Sequence, residues 1–261
     1  MNTDIILSKQ ILYALVTSAF VGGVAGYIGS LMVTKRMALM AGALGHLTLP
    51  GIALAIAYGF DVTLGALIIL IFGVFAIWAI ERKTKLPTES ATAIVFATSL
   101  AIALLFLKHE EIDIALIGDI SKITLLITIA TVMLSLAIFI IIRKIMPALA
   151  LSSISQDLAT VEGIPVAAYR FMYLACIALV VAMGVRIVGG LMTAALVAIP
   201  AATSKNVSKN LFQYTFFSLL FGAASCILGV LVSYFTNLPA GPMIILCSSL
   251  FFALSLFMKK S

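Results

Sequence analysis

Charge is scarce in this chain. Only 10% of its 261 residues are Asp, Glu, Lys or Arg, while 63% are hydrophobic and the mean hydropathy is +1.25. Soluble domains are about 45–50% apolar and about a quarter charged, so a water-soluble globule is excluded. Cysteine is sparse as well. Cys176, Cys226 and Cys247 each stand alone in an apolar run, without the paired spacing of zinc ligands or a disulfide framework, and read as small core residues. Catalytic signatures are missing too: no G-x-x-x-x-G-K-S/T loop exists to cradle ATP, and neither H-E-x-x-H nor G-x-S-x-G occurs. Those absences remove a P-loop ATPase, a helical zinc protease and a hydrolase with a nucleophile elbow. The net charge of +6 does not make a nucleic-acid binder, because the basic residues fall at the ends of apolar runs and not in one patch.

What is present is uncharged length. A spanning helix needs about 20 mostly apolar residues, and the runs predict helices over 5–33, 37–59, 62–80, 90–107, 120–142, 166–185, 187–203, 211–235 and 241–258. They form one all-α, polytopic transmembrane bundle of eight or nine spans over 1–261, with no room for a soluble domain. The first run is too long for a signal-peptide core and is not followed by a small-residue cleavage site, so it stays as a span. Basic clusters at Lys35-Arg36, Arg82-Lys83-Lys85, Arg143-Lys144, Lys205 with Lys209, and Lys259-Lys260 belong on the cytoplasmic side. Nine alternating spans satisfy all of them, with the amino terminus outside and the carboxyl terminus inside. Eight suffice if 185–190 belongs to a broken or re-entrant segment.

Between Met146 and Pro165 the apolar pattern is interrupted by Ser152, Ser153, Ser155, Gln156, Asp157 and Glu162. This predicts a short amphipathic cytoplasmic helix over about 152–164, capped by Ser155 or Ser153, ended by a left-handed Gly163 and followed by a new helix at Pro165. The first helix carries Ser18, Gly22, Gly26 and Ser30 at four-residue spacing, a strip that lets another helix approach closely in lipid.

An ionisable group in the hydrocarbon is costly and marks a candidate site. His46 lies ten residues past Arg36, about 15 Å along a helix, near mid-bilayer. Ala38, Gly42, His46 and Pro50 share one face, and Pro50 with Gly51 weakens the helix just beyond. Imidazole is a common metal ligand, but a histidine hydrogen-bonded inside a bundle has the same pattern, and both readings stay open. His109, Glu110, Glu111 and Asp113 form a loop cluster that could gather cations at the outer mouth; a plainly solvated loop explains it as well. Asp119, Lys122 and Arg186 read as structural.

The run Arg36-Met37-Ala38-Leu39, then Ala43-Leu44, His46 and Leu49-Pro50-Gly51, resembles the second-helix signature of the ABC-3 family, the zinc and manganese importer permeases. A second run, Val188-Gly189-Gly190-Leu191, Ala195-Leu196 and Pro200-Ala201-Ala202-Thr203, is similar to another signature of that family. Gln156 to Ile164 looks like the segment through which these permeases grip their ATPase, and Leu238 to Pro242 extends the likeness to the last helix.

The resemblance implies a non-enzymatic permease subunit in a prokaryotic cytoplasmic (inner) membrane. Two copies would form the pathway as a homodimer in the lipid, a cytoplasmic ATPase dimer would bind ATP, and an extracytoplasmic metal-binding protein would deliver zinc or manganese. The chain itself would hold no cofactor. His46 would be the metal ligand, with Gly42, Gly45 and Pro50 lining the pathway. Gln156, Asp157, Ala159, Glu162 and Gly163 would couple to the ATPase, and His109, Glu110, Glu111 and Asp113 would lie near delivery. One departure bears on substrate: the family's aspartate, one turn before the histidine, falls on Gly42, and its serine on Gly45. Losing hard oxygen ligands hurts manganese more than zinc, which accepts nitrogen, so zinc is favoured. The competing class is an ion-gradient-driven secondary transporter that works without an ATPase, which broken helices and a lone buried histidine also suit.

Overall fold

The computed structural model describes residues 2–35, 37–84, 86–106, 118, 120, 123–190 and 192–258, and every regular element among them is helical. The helices are α1 (Asn2–Thr34), α2 (Ala38–Leu47), α3 (Leu49–Tyr58), α4 (Val62–Thr84), α5 (Thr88–Phe106), α6 (Leu125–Ile154), α7 (Gln156–Val161), α8 (Val166–Val188), α9 (Thr193–Val207), α10 (Leu211–Thr236) and α11 (Ala240–Met258). Among the described residues, six helices (α1, α4, α6, α8, α10 and α11) are long and apolar enough to cross a bilayer, and two apolar segments, Met40–Ala55 and Thr88–Ala103, are shorter. With α9, every expected run therefore holds a helix, which fits eight or nine spans. At 15 residues, α9 rises about 22 Å against a hydrocarbon thickness of about 30 Å. It begins just past the break at Gly189, where φ is +81°.

Two boundaries differ from expectation. The run expected over 37–59 is two helices parted at Thr48, because Pro50 has no N–H to give the His46 carbonyl four residues back. The run expected to end at 142 continues to Ile154, with Arg143, Lys144 and Pro147 inside α6. The charged pair marks where the chain leaves the lipid, not where the helix ends, since Arg and Lys are good helix formers and backbone bonds stay internal in either solvent. The regular part of the polar cytoplasmic helix is consequently only Gln156–Val161.

The small-residue strip on α1 packs where it was expected to. Ser18 and Ser30 are fully buried. A Cβ on Gly26 would run into the Ser218 carbonyl, and one on Gly22 into Cys226 and the Gly222 carbonyl, so α1 and α10 meet backbone to backbone. Cys176 and Cys226 are buried core residues and Cys247 is half-buried. The most deeply enclosed helix is α8, buried from Tyr173 through Val188 along most of its length and packed on α1, α4 and α6. On the far side, α3 and α4 close into a hairpin. Gly59 takes the left-handed conformation, Asp61 Oδ1 accepts from the Thr63 and Leu64 N–H groups at 2.8 and 3.3 Å, and Gly51 and Gly65 each lie against the other's carbonyl.

Lys35, Arg82 and Arg170 collect at one end. Lys35, Arg170, Thr88 and Ser152 line one cavity of about 600 Å³, and Arg82, Arg170 and Thr160 line a neighbouring one of about 750 Å³. By the positive-inside rule this end is cytoplasmic. At the other end Arg186 Nη1 pairs with Asp61 Oδ2 at 3.3 Å and donates to Thr63 Oγ1 at 3.2 Å, which ties α8 to the start of α4.

Candidate functional site

His46 sits one residue before the end of α2, half-buried, its ring 5.6 Å from that of Phe96 on α5 and tilted by 48°. Neither imidazole nitrogen has a hydrogen-bond partner among the described residues. Beside it, Ser99 Oγ on α5 donates to the Leu47 carbonyl at 3.4 Å, and Thr48 Oγ1 donates to the Gly45 carbonyl at 2.5 Å.

The glycines around His46 face α9 and the turn before it. A Cβ on Gly45 would strike the Gly190 carbonyl, while one on Gly42 would lie 3.1 Å from Ala194 Cβ. Gly45 is therefore a contact point at which even a serine side chain does not fit without movement, whereas Gly42 leaves nearly enough room for a larger residue. Thr193 Oγ1 secures the turn by donating to the Gly189 carbonyl at 2.7 Å. Pro50 is buried, and it borders a cavity of about 390 Å³ together with Phe72 on α4 and Thr98 and Ser99 on α5. Among the described residues no group of three or more His, Cys, Asp or Glu side chains could hold a metal ion. Among the described residues His46 is the only histidine.

The cytoplasmic connection is built as its residue types dictate. Ser155 Oγ accepts from the Leu158 N–H at 3.3 Å and caps α7. Gly163, at φ +73°, ends it, with its N–H on the Thr160 carbonyl and that of Ile164 on the Ala159 carbonyl, both at 3.0 Å. Pro165 stands at the N-cap of α8. Ala159 is fully buried and Glu162 is exposed, while Gln156 and Asp157 open the helix. Sequence reasoning missed Leu158 and Val161, 55% and 85% exposed on a helix outside the bilayer. Three residues apart, they share one face; an apolar pair in an otherwise polar segment was the available signal.

Also unforeseen is a polar cluster just inside the basic end. Arg170 Nη2 on α8 pairs with Glu81 Oε1 on α4 at 3.0 Å and donates to Thr88 Oγ1 on α5. Lys35 Nζ lies 5.6 Å from the Tyr173 ring centre. Burial first, and then the Arg170 charge, holds its pKa below the ordinary lysine value of 10.5. His109, Glu110, Glu111, Asp113, Asp119 and Lys122 lie outside the described residues.

The whole arrangement has relatives. Residues 8–259 match the model of the ABC 3 transport family. The chain belongs to that family. It is 27% identical to the manganese import system permease protein ScaB of Streptococcus parasanguinis, over 94% of this chain and 89% of that one. It is 26% identical to the high-affinity zinc uptake system membrane protein ZnuB of Haemophilus influenzae, over 95% and 97%. Among solved structures, PsaBC from Streptococcus pneumoniae in complex with Fab superposes with a TM-score of 0.82 at 28% identity, covering 99% of this chain and 96% of that one. As an ABC 3 protein the chain is a membrane permease subunit. A carrier that works without an ATPase is not favoured by this match.

Proposed function

We propose that this chain forms the membrane pathway of an ATP-driven importer of a divalent transition metal, with zinc preferred to manganese. The observation that carries the reading is His46, an imidazole held half-buried in the spanning region with both nitrogens unbonded among the described residues. The relatives named for manganese and for zinc supply the substrate class. Gly42 supplies the preference. One turn from His46 it offers no oxygen, and an ion arriving there meets nitrogen, which zinc accepts and manganese binds weakly.

Because one copy gives one ligand, two copies meet around the ion, each contributing His46, with Gly42, Gly45 and Pro50 shaping the walls. A separate ATPase dimer hydrolyses ATP and grips Gln156, Asp157, Ala159, Glu162 and Gly163, together with the exposed Leu158 and Val161. An extracytoplasmic metal-binding protein delivers the ion at the face bearing His109, Glu110, Glu111 and Asp113, and the assembly resides in a prokaryotic cytoplasmic membrane. The test is ATP-dependent uptake of labelled zinc and manganese by vesicles holding the permease and its ATPase, with His46→Ala alongside. Zinc uptake that is lost in the variant is the expected result. Zinc uptake unchanged in His46→Ala removes the ligand assignment, and uptake of neither metal removes the substrate class.

A further inference from the structure

We propose that Arg170 is a positioning residue that carries movement of α7 to the pathway histidine, acting as a latch between α8 and the paired helices α4 and α5. The inference rests on the importer reading above, in which the ATPase acts on α7.

The connection from α7 to α8 is short and stiff. Only residues 162–165 separate the two helices, both turn hydrogen bonds at Gly163 and Ile164 are made, and proline limits the chain at 165. Displacement of α7 therefore arrives in the first turns of α8. Arg170 lies one turn into that helix and grips its neighbours at this end, bonding Glu81 in the last turn of α4 and Thr88 in the first turn of α5.

Glu81 pairs with Arg170 at 3.0 Å. Its side chain is 9% exposed, Arg170 is its sole ion-pair partner among the described residues, and a carboxylate in the last turn of a helix is opposed by the helix dipole. Lys35 lines the same cavity as Arg170, and the two like charges repel. The cavities of about 750 and 600 Å³ both border Arg170, giving the side chain space to leave its partners.

From Thr88 the force has a direct route. Phe96 lies eight residues along α5, about 12 Å, with its ring against His46, and Ser99 on the same helix holds the Leu47 carbonyl. The route runs from α7 through α8 and Arg170 to Thr88, along α5 to Phe96, and from its ring to His46.

The test measures metal uptake and ATP hydrolysis in the same proteoliposomes, containing the permease and its ATPase, and reports uptake per ATP. In Arg170→Met the complex assembles and hydrolyses ATP, but uptake per ATP falls about tenfold, the scale of losing a charge-assisted hydrogen-bond pair. Arg170→Lys, which keeps the charge but cannot hold both partners, and Thr88→Val, which removes only the hydroxyl, give intermediate losses and decide the matter if Arg170→Met does not assemble. A fall of uptake and hydrolysis by the same factor shows a structural role and overturns the latch, as does an unchanged ratio in all three. Wild-type vesicles without ATP-dependent uptake refute the importer reading itself, a result distinct from either.

Discussion

Restoring a carboxylate at position 42 tests the substrate preference most directly. In Gly42→Asp the new Cβ lies 3.1 Å from Ala194 Cβ, a few tenths of an ångström inside ordinary contact. Ala194 is the second residue of α9, where a small shift is affordable, so packing costs about 1 kcal/mol. A carboxylate facing lipid at mid-bilayer adds about 3 kcal/mol, less where the face borders a wet pathway. Against this, the side chain lies one turn from His46 on the same face and offers a metal ion two hard oxygens. A charge-assisted contact of about 1.5–3 kcal/mol corresponds to about a 10- to 150-fold gain in apparent manganese affinity, with a smaller change for zinc. The assay is the concentration dependence of ATP-driven manganese and zinc uptake, with Gly42→Ala as the control that adds the same Cβ without oxygens. Equal metal preference in Gly42→Asp and Gly42→Ala, with both assembled on the ATPase, refutes the reasoning.

Other outcomes follow from particular contacts. Gly163→Pro cannot adopt φ +73°, so the corner after α7 is lost and the ATPase no longer co-purifies; unchanged co-purification sinks the coupling assignment. Gly45→Ser drives a Cβ into the Gly190 carbonyl, costs about 1–3 kcal/mol of packing and lowers the thermal midpoint in detergent, whereas Gly42→Ala lowers it much less; equal midpoints contradict the geometry. Lys35 has a folded pKa below its ordinary 10.5, so the native state binds fewer protons there than the unfolded chain. The penalty is full below the lowered value and is relieved as pH rises through it towards 10.5. Lys35→Met is accordingly expected to raise the midpoint at neutral pH, by a margin that shrinks as the medium becomes alkaline; a lower midpoint in the variant means that the Tyr173 contact outweighs burial.

The spans were legible in the sequence because lipid imposes a length: a run such as Leu211 to Thr236 without a charge has few other uses. Pro50 marked a weak point beside His46 for an equally local reason, the missing N–H, but the full parting of 37–59 into two helices at Thr48 was not expected. The end of α6 was not legible, since Arg143 and Lys144 report the edge of the solvent, to which helix hydrogen bonding is indifferent. The Ser155 cap, the left-handed Gly163 and the α8 start at Pro165 were readable, being turn chemistry within ten residues. Arg170, Glu81 and Thr88 were not, because the partners are more than 80 residues apart and nothing in a single sequence ties them. The same holds for Gly45, whose small size answers to a carbonyl at Gly190.

The broken second span has a mechanical consequence. Gly45 is pressed on the Gly190 carbonyl and Gly51 on Gly65, so the helix is pinned on both sides of Thr48, three residues away in each direction. A rod pinned at two such points cannot slide along its axis without tearing one of them open. Its remaining freedom is torsion about the joint between the pins. His46 lies between the pins, one residue past the first and two before the joint, and is therefore turned rather than translated when the segment moves; on the proposed reading, an ion bound to it would experience the stroke as a change of direction.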